Sequence, residues 1–324
     1  MSKPFIDVAA GLILRADGAL LLAERPADKP WSGWWELPGG KIEAGESVLQ
    51  ALARELKEEL DIEVTEATPW VTYTHEYPKN IVRLAFCRVT GWTGEPRGIE
   101  GQRLEWVDPQ QTLAVGPLLP ATEPPLRWLR LPDRYLLTSI GGAAGLAVFL
   151  DKLTRALEGG IRLVQFREPD WPAGQTDPDL HAAFQQVLRR CHEFGARCLV
   201  NSCHPQSWWA QADGVHLRAV DARARAAGLP APAPAHAGLL GVSAHDAEDL
   251  LAARALNADF AVLGHVLDTP SHPGRPGMGW ERYAALAGQA SLPVFAIGGQ
   301  SAATVKTARR HGAHGIAGIR RLLD

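Results

Sequence analysis

The sequence predicts an α/β protein of two domains, an α/β/α sandwich over residues 1–131 followed by a (β/α)8 barrel over residues 132–324. Three observations carry this reading. Proline crowds the stretch from Pro117 to Pro132, which closes a first unit with a short helix from about Thr122 to Leu129. Before it, strand-like segments of mixed order surround one strongly acidic helix, as suits a layered sandwich. After it, short apolar strands alternate regularly with helical stretches, the pattern of a parallel barrel. At 324 residues the chain is long enough for two cores.

In chain order, Asp7–Leu14 and Ala19–Glu24 read as the first strands. Pro38, Gly39 and Gly40 make a tight turn, where glycine lets backbone groups come close to a metal or to phosphates. Ser47 with Gln50 forms a capping box that starts a helix. Leu49, Ala53, Leu56 and Leu60 give that helix an apolar stripe to pack on a sheet. Val71–Glu76, Val82–Val89 and Glu105–Val107 supply the remaining strands.

The helix carries the most informative pattern of the chain. Glu55, Glu58 and Glu59 stand at i, i+3 and i+4, so their carboxylates share one face. Like charges so placed repel by roughly 0.2–0.5 kcal/mol per pair. A hard divalent cation removes the conflict, and Mg2+ is expected, with Mn2+ as the alternative, because Mg2+ prefers carboxylate oxygen and keeps other positions for water and phosphate. Arg54 lies beside this face and is placed to orient a carboxylate through its fork, with Glu46 as its natural partner. This is the chemistry of a nucleotide-processing metal site.

The spacing of Gly40, Glu46, Arg54, Glu55, Leu56, Glu58, Glu59 and Ile62 resembles the Nudix box. One position departs: Asp61 stands where that family has the glycine that ends the helix, and Asp tolerates positive φ less well than Gly. Similarity extends to the MutT branch, which hydrolyses oxidised guanine nucleotides. The shared stretches are Trp35–Glu46, then Trp92 to Pro96 with Glu100 to Gln102, Glu105-Trp106, and Pro120 to Pro124. The resemblance implies the Nudix α/β/α fold, with Glu55, Glu58 and Glu59 as metal ligands. It places Glu100 as a further loop carboxylate that holds metal or activates water, and Arg25 near the substrate phosphates. Gly39 and Gly40 would line the substrate site. Thr122 stands where the branch has an asparagine that reads the oxidised base; a hydroxyl makes fewer contacts than an amide, which weakens discrimination by about 1–3 kcal/mol. Thr122 also reads as a plain helix N-cap before Pro124 and Pro125. The implied reaction is metal-assisted attack of water on a nucleoside triphosphate, with Glu55 or Glu100 taking the proton. Its products would be a nucleoside monophosphate and pyrophosphate.

In the second half, strands are expected at Tyr135–Thr138, Leu163–Phe166, Cys198–Asn201, Gly214–Leu217, Leu240–Ser243, Phe260–Leu263, Val294–Ile297 and Gly315–Ala317, with a last helix cut short. Gly298-Gly299 and Gly318 follow the seventh and eighth strands, where TIM barrels commonly bind phosphate. Gln165 to Glu168, Asn201, Gly214 to Leu217, Gly241 to His245, Gly264 to Val266 with Thr269, and Ala296 to Gly299 resemble the thiamin phosphate synthase superfamily, including its tautomerase (TenI-like) branch. Synthase residues are missing. Pro169 replaces a lysine, Ser202 a magnesium-binding aspartate and His272 a lysine that meets pyrophosphate, which leaves Asp221 as the remaining metal ligand. Such losses cost several kcal/mol of charge stabilisation, so synthase activity is not expected. His265 matches the histidine that shuttles a proton in the tautomerase branch, and a lone histidine at a strand end is as readily structural.

Composition narrows the rest. Thirty-three Lys and Arg against 36 Asp and Glu give a net charge of −3, which argues against direct DNA binding and leaves small anionic ligands open. Cys87, Cys191, Cys198 and Cys203 show no paired framework, and with His192 and His204 they match no standard zinc spacing. The apolar N-terminal stretch is too short for a signal peptide or membrane span, so a cytoplasmic enzyme without membrane contact is expected. The leading expectation is an enzyme of nucleotide-pool sanitation and DNA repair. It would convert 8-oxo-dGTP to 8-oxo-dGMP and be fused to a barrel that has lost synthase chemistry. A second reading makes the hydrolase act on thiamin-related diphosphates beside a tautomerase-like barrel. A third makes the barrel a non-catalytic module that binds a thiazole or phosphate ligand.

Overall fold

The apolar N-terminal run becomes β1 (Phe5–Ile13), buried along its second half. It is followed by β2 (Leu20–Glu24), β3 (Trp35–Glu36), β4 (Gly39–Lys41), helix α1 (Val48–Leu60), β5 (Glu63–Glu76), β6 (Ile81–Thr93), β7 (Leu104–Val107) and α2 (Glu123–Trp128). These belong to a computed structural model that describes residues 3–229, 238–270 and 273–323. The chain divides into two compact units, Met1–Leu131 and Pro132–Asp324.

In the first unit one sheet has the order β4-β1-β6-β5 and the other β3-β2-β7. β1 runs parallel to β6 and antiparallel to β4. α1 packs against β1, β4 and β5, and its Leu52, Leu56 and Leu60 close over Ala9, Ile13, Cys87 and Val89. A second core joins Leu12, Leu20, Leu22, Trp35, Phe86 and Trp128 on the other side of the long sheet. The capping box between Ser47 and Gln50 is present. The expected stripe is corrected in part: Leu49 is 41% exposed, and Ala51 and Leu52 are buried in its place. The helix is turned so that Glu55 and Glu59 meet β4, and that rotation carries Leu49 outward. β3 and β4 were not expected from the sequence. They are two and three residues long and lack room for an alternating pattern.

In the second unit eight strands close into a parallel barrel. They are β8 (Arg134–Leu137), β9 (Leu163–Phe166), β10 (Arg197–Asn201), β11 (Gly214–Leu217), β12 (Leu239–Ala244), β13 (Phe260–Gly264), β14 (Val294–Ile297) and β15 (Gly315–Gly318). Each overlaps an expected strand. Helices α3 (Leu146–Glu158), α4 (Pro178–Glu193), α5 (Ala219–Ala226), α6 (Ala247–Ala255), α7 (Gly279–Ala287) and α8 (Val305–Arg310) surround them, and Arg320–Leu322 ends the fold as a short 3-10 turn. Among the described residues no helix is long and apolar enough to cross a membrane.

Candidate active site

The first site is built where α1 faces β4. Gly39, at φ +141°, lies so close to β1 that a Cβ there would fall 2.1 Å from the Ala9 carbonyl oxygen. Its amide donates to Glu59 Oε2 at 3.2 Å. Gly40 makes room for Glu55, whose Oε2 would lie 2.2 Å from any Cβ at that position. These two glycines therefore seat two carboxylates rather than merely shaping a turn. Arg54 ties the acids together. Its Nε and Nη2 donate to the two oxygens of Glu46 at 2.8 and 3.0 Å, and its Nη1 donates to Glu55 at 2.9 Å and Glu58 at 3.3 Å. Hydrogen bonds from Arg54 first, and then from the Glu43 amide, hold Glu46 down to about 2. Asp61 ends the helix at φ +55°, the left-handed conformation its position requires, and Lys57 bonds its carboxylate at 2.7 Å.

Around this helix the loops add three more charged groups. Glu100 sits on a turn stitched to α1, because the Ile99 amide and the Gln102 side chain both donate to the Glu59 carbonyl, at 3.0 and 2.9 Å. Its carboxylate is held by the Lys29 ammonium. Arg25 is occupied by Glu36: Nη1 reaches both carboxylate oxygens at 2.6 and 2.7 Å, and Nε donates to the Pro30 carbonyl at 2.7 Å. Burial nonetheless pushes Glu36 up, against the pull of Arg25. Thr122 is buried and makes no side-chain cap bond, so the plain N-cap reading does not describe it. Beside it the Tyr77 hydroxyl lies against the Ala121 amide, and the Trp31 ring lies 6.3 Å from the Tyr77 ring.

Among the described residues no three Asp, Glu, His or Cys side chains converge as they would around a bound metal. The donors still suit one. Burial first, and then the charges of Glu36, Glu100 and Glu55, push Glu59 up to about 7. Glu36, Glu46, Glu55, Glu58 and Glu100 share the three cations Arg25, Lys29 and Arg54, and all the donors are carboxylate oxygens, which is the set a hard divalent cation takes. Glu55 and Glu59 meet at β4, Glu100 stands on the turn bonded to the Glu59 carbonyl, and the Glu58 side chain is 60% exposed.

The barrel has its own cavity, of about 540 Å³, at the end where its strands finish. Arg167, His216, Ser243, His265, Gly298 and Gly299 line it, with Arg320 and Arg321 at the rim. His265 Nε2 meets the Arg275 carbonyl at 3.1 Å. A Cβ on Gly298 would lie 2.4 Å from that of His265, so this glycine packs the histidine into place. Below, Gln165 donates to the Tyr135 hydroxyl at 2.9 Å, which meets His216 Nδ1 at 3.2 Å; His216 Nε2 meets Ser243 Oγ at 3.0 Å. With Gln165 as donor, the tyrosine proton goes to Nδ1, which leaves His216 neutral with its proton on Nε2. Burial depresses His216 to about 3. Asp221, expected as a metal ligand, is already neutralised: Arg218 holds both its oxygens at 2.7 and 3.0 Å, and Ser202 donates to it at 2.5 Å. His272 lies outside the described residues.

The NUDIX domain profile matches residues 4–129, and the thiamine monophosphate synthase (TMP-TENI) profile matches residues 135–322. The chain belongs to both families. Its Nudix unit is 41% identical over 121 residues to the 8-oxo-dGTP diphosphatase of Haemophilus influenzae, covering 37% of this chain and 88% of that protein. It is 42% identical over 119 residues to the CTP pyrophosphohydrolase of Escherichia coli, covering 37% and 87%. The barrel is 32% identical over 192 residues to the thiamine-phosphate synthase of Thermus thermophilus, covering 59% and 88%. The first unit is a Nudix hydrolase, a nucleotide pyrophosphohydrolase acting on small-molecule substrates. Sequence reasoning did not single out Lys29, Glu36 or Tyr77 in this Nudix site. The one signal for Glu36 was its place beside Pro38-Gly39-Gly40, and Lys29 and Tyr77 come from loops whose partners lie 71 and 44 residues away.

Proposed function

We propose that the Nudix unit hydrolyses 8-oxo-dGTP to 8-oxo-dGMP and pyrophosphate with Mg2+, and so sanitises the nucleotide pool in the cytoplasm. The observation that carries this reading is the carboxylate set on α1 and the Glu100 loop, where burial first, and then the charges of Glu36, Glu100 and Glu55, push Glu59 up to about 7. Glu55, Glu58, Glu59 and Glu100 would hold the divalent cation, with Mn2+ able to replace Mg2+, and the cation would offset the charge of the polyphosphate. Arg54 fixes Glu46 and Glu55, so the first turns of α1 present their oxygens in one arrangement. The proton of the attacking water goes to Glu55 or Glu100, the first bonded by Arg54 and the second, in the metal-free enzyme, by Lys29. Gly39 and Gly40 admit the substrate backbone-close to these acids, and Thr122 with the Ala121 and Tyr77 groups faces the base. Arg25, committed to Glu36, keeps Nη2 for the phosphates.

A second substrate reading has its own support. Thr122 lacks the amide that reads oxidised guanine, and a relative of equal identity is a CTP pyrophosphohydrolase. Steady-state hydrolysis of 8-oxo-dGTP, dGTP and CTP with Mg2+ decides the matter. A preference of several hundredfold for 8-oxo-dGTP supports the first reading, and faster turnover of CTP replaces it with the second.

For the barrel we propose a ligand-binding role without synthase activity, taking a thiazole or phosphate ligand near His265, Gly298 and Gly299. The Arg218 and Ser202 contacts to Asp221 and the Pro169 substitution support it. Thiamin phosphate formation from the pyrimidine and thiazole substrates by the full chain would refute it.

A further inference from the structure

Two loops of the Nudix unit meet at one ion pair, the Lys29 ammonium on a Glu100 carboxylate oxygen. Both sides of the contact are built. The Lys29 turn is held by its amide on the Pro26 carbonyl at 3.2 Å and by Gly33 on the Arg25 carbonyl at 3.0 Å. The Glu100 turn is fixed by Gln102, which accepts the Glu100 amide at 2.8 Å and donates to Glu59. Lys29 thus meets the acids through Glu100, on the turn bonded to the Glu59 carbonyl.

The other cations at this point are committed. Arg25 is held on Glu36 through Nη1 and on the Pro30 carbonyl through Nε, with Nη2 left over, and Arg54 is held on Glu46 and Glu55. Lys29 differs from them in kind. It is a point charge on a flexible four-carbon stem, its side chain is 37% exposed, and it makes no fork that fixes its direction. A carboxylate that ligates a divalent cation has little left for an ammonium, and the released ammonium is within its own tether of any polyphosphate bound at these acids.

We propose that Lys29 is a positioning residue that holds Glu100 in the metal-free enzyme and passes to the substrate's polyphosphate when Glu100 takes up the divalent cation. The inference rests on the reading of Glu100 given above. Its signature is a pair of effects with opposite signs. In the full chain, Lys29→Met removes a competitor for Glu100, so Mn2+ binding followed by electron paramagnetic resonance, without nucleotide, tightens about twofold to fivefold. The same substitution removes a cation from the phosphates, so tripolyphosphate binding in the presence of Ca2+, followed by calorimetry, weakens about tenfold. Lys29→Arg keeps the charge and restores most of the tripolyphosphate affinity. A merely structural ion pair would weaken Mn2+ binding or leave it unmoved, and either result overturns the proposal. So does an unchanged tripolyphosphate affinity. If the native chain binds no Mn2+, the reading of Glu100 falls as well; if it binds Mn2+ and Lys29→Met changes neither affinity, only the role of Lys29 falls.

Discussion

Replacing Gly40 by alanine tests the geometry of the Nudix site most directly. The added Cβ would stand 2.2 Å from Glu55 Oε2 and 2.3 Å from its carboxyl carbon, where ordinary contact begins near 3.4 Å. The carboxylate must therefore retreat by about 1.2 Å. The obstacle is the end of a side chain and not the backbone, so the fold absorbs it with a loss below about 1 kcal/mol. Catalysis does not absorb it, because displacing a reacting or ligating group by about 1 Å costs on the order of 10²-fold in rate. Gly40→Ala is expected to lower kcat by that factor with Mg2+ while the urea midpoint hardly moves. Gly39→Ala is the contrasting control. Its Cβ would strike the Ala9 carbonyl at 2.1 Å from a φ of +141°, so it destabilises the whole unit along with activity. Turnover of Gly40→Ala within twofold of the native chain would show that the seat of Glu55 is not critical to the reaction.

Three further outcomes follow from the same residues. Glu59→Gln is expected to abolish turnover and yet stabilise the metal-free protein at pH 8: a carboxyl raised from 4.5 to about 7 favours the fold at low pH, and the advantage is lost as pH rises through that window. The gain is about 2 kcal/mol after discount for its partial exposure, read from urea unfolding in a chelator at pH 5 and pH 8; equal midpoints for both proteins at pH 8 would contradict it. In the barrel, His204 is depressed from 6.5 to about 4, and His216 to about 3, mainly by burial, so both must stay neutral in the fold. Stability should fall as pH drops from 6.5 towards 4, by on the order of 2–3 kcal/mol for His204, and His204→Gln should flatten the decline seen in the fluorescence of Trp208, stacked on it at 5.4 Å. Asp61→Gly relieves a left-handed φ of +55° at the end of α1 and is expected to raise the unfolding midpoint by about 1–3 °C; a drop would mean that the Lys57 contact outweighs the backbone term.

The sequence by itself determined the order of the longer elements, though not of β3 and β4, and the identity of the acids on α1. Hydrophobic periodicity and capping residues act within a dozen neighbours, so the barrel strands and the Ser47 cap were legible from the chain. The left-handed end of α1 was legible too, because Asp61 stands where a glycine was expected. Tertiary structure alone decided the allegiance of the charges. That Arg25 belongs to Glu36, Lys29 to Glu100 and Ser202 to Asp221 depends on which segments meet and on how far the chain buries them. The same holds for the side of α1 that faces inward, where the approach of Gly39 and Gly40 turned two glutamates to the sheet and left Leu49 in solvent. Local pattern fixes what a segment can form; long-range contact and desolvation fix which partner each charge finds and which protonation state it keeps.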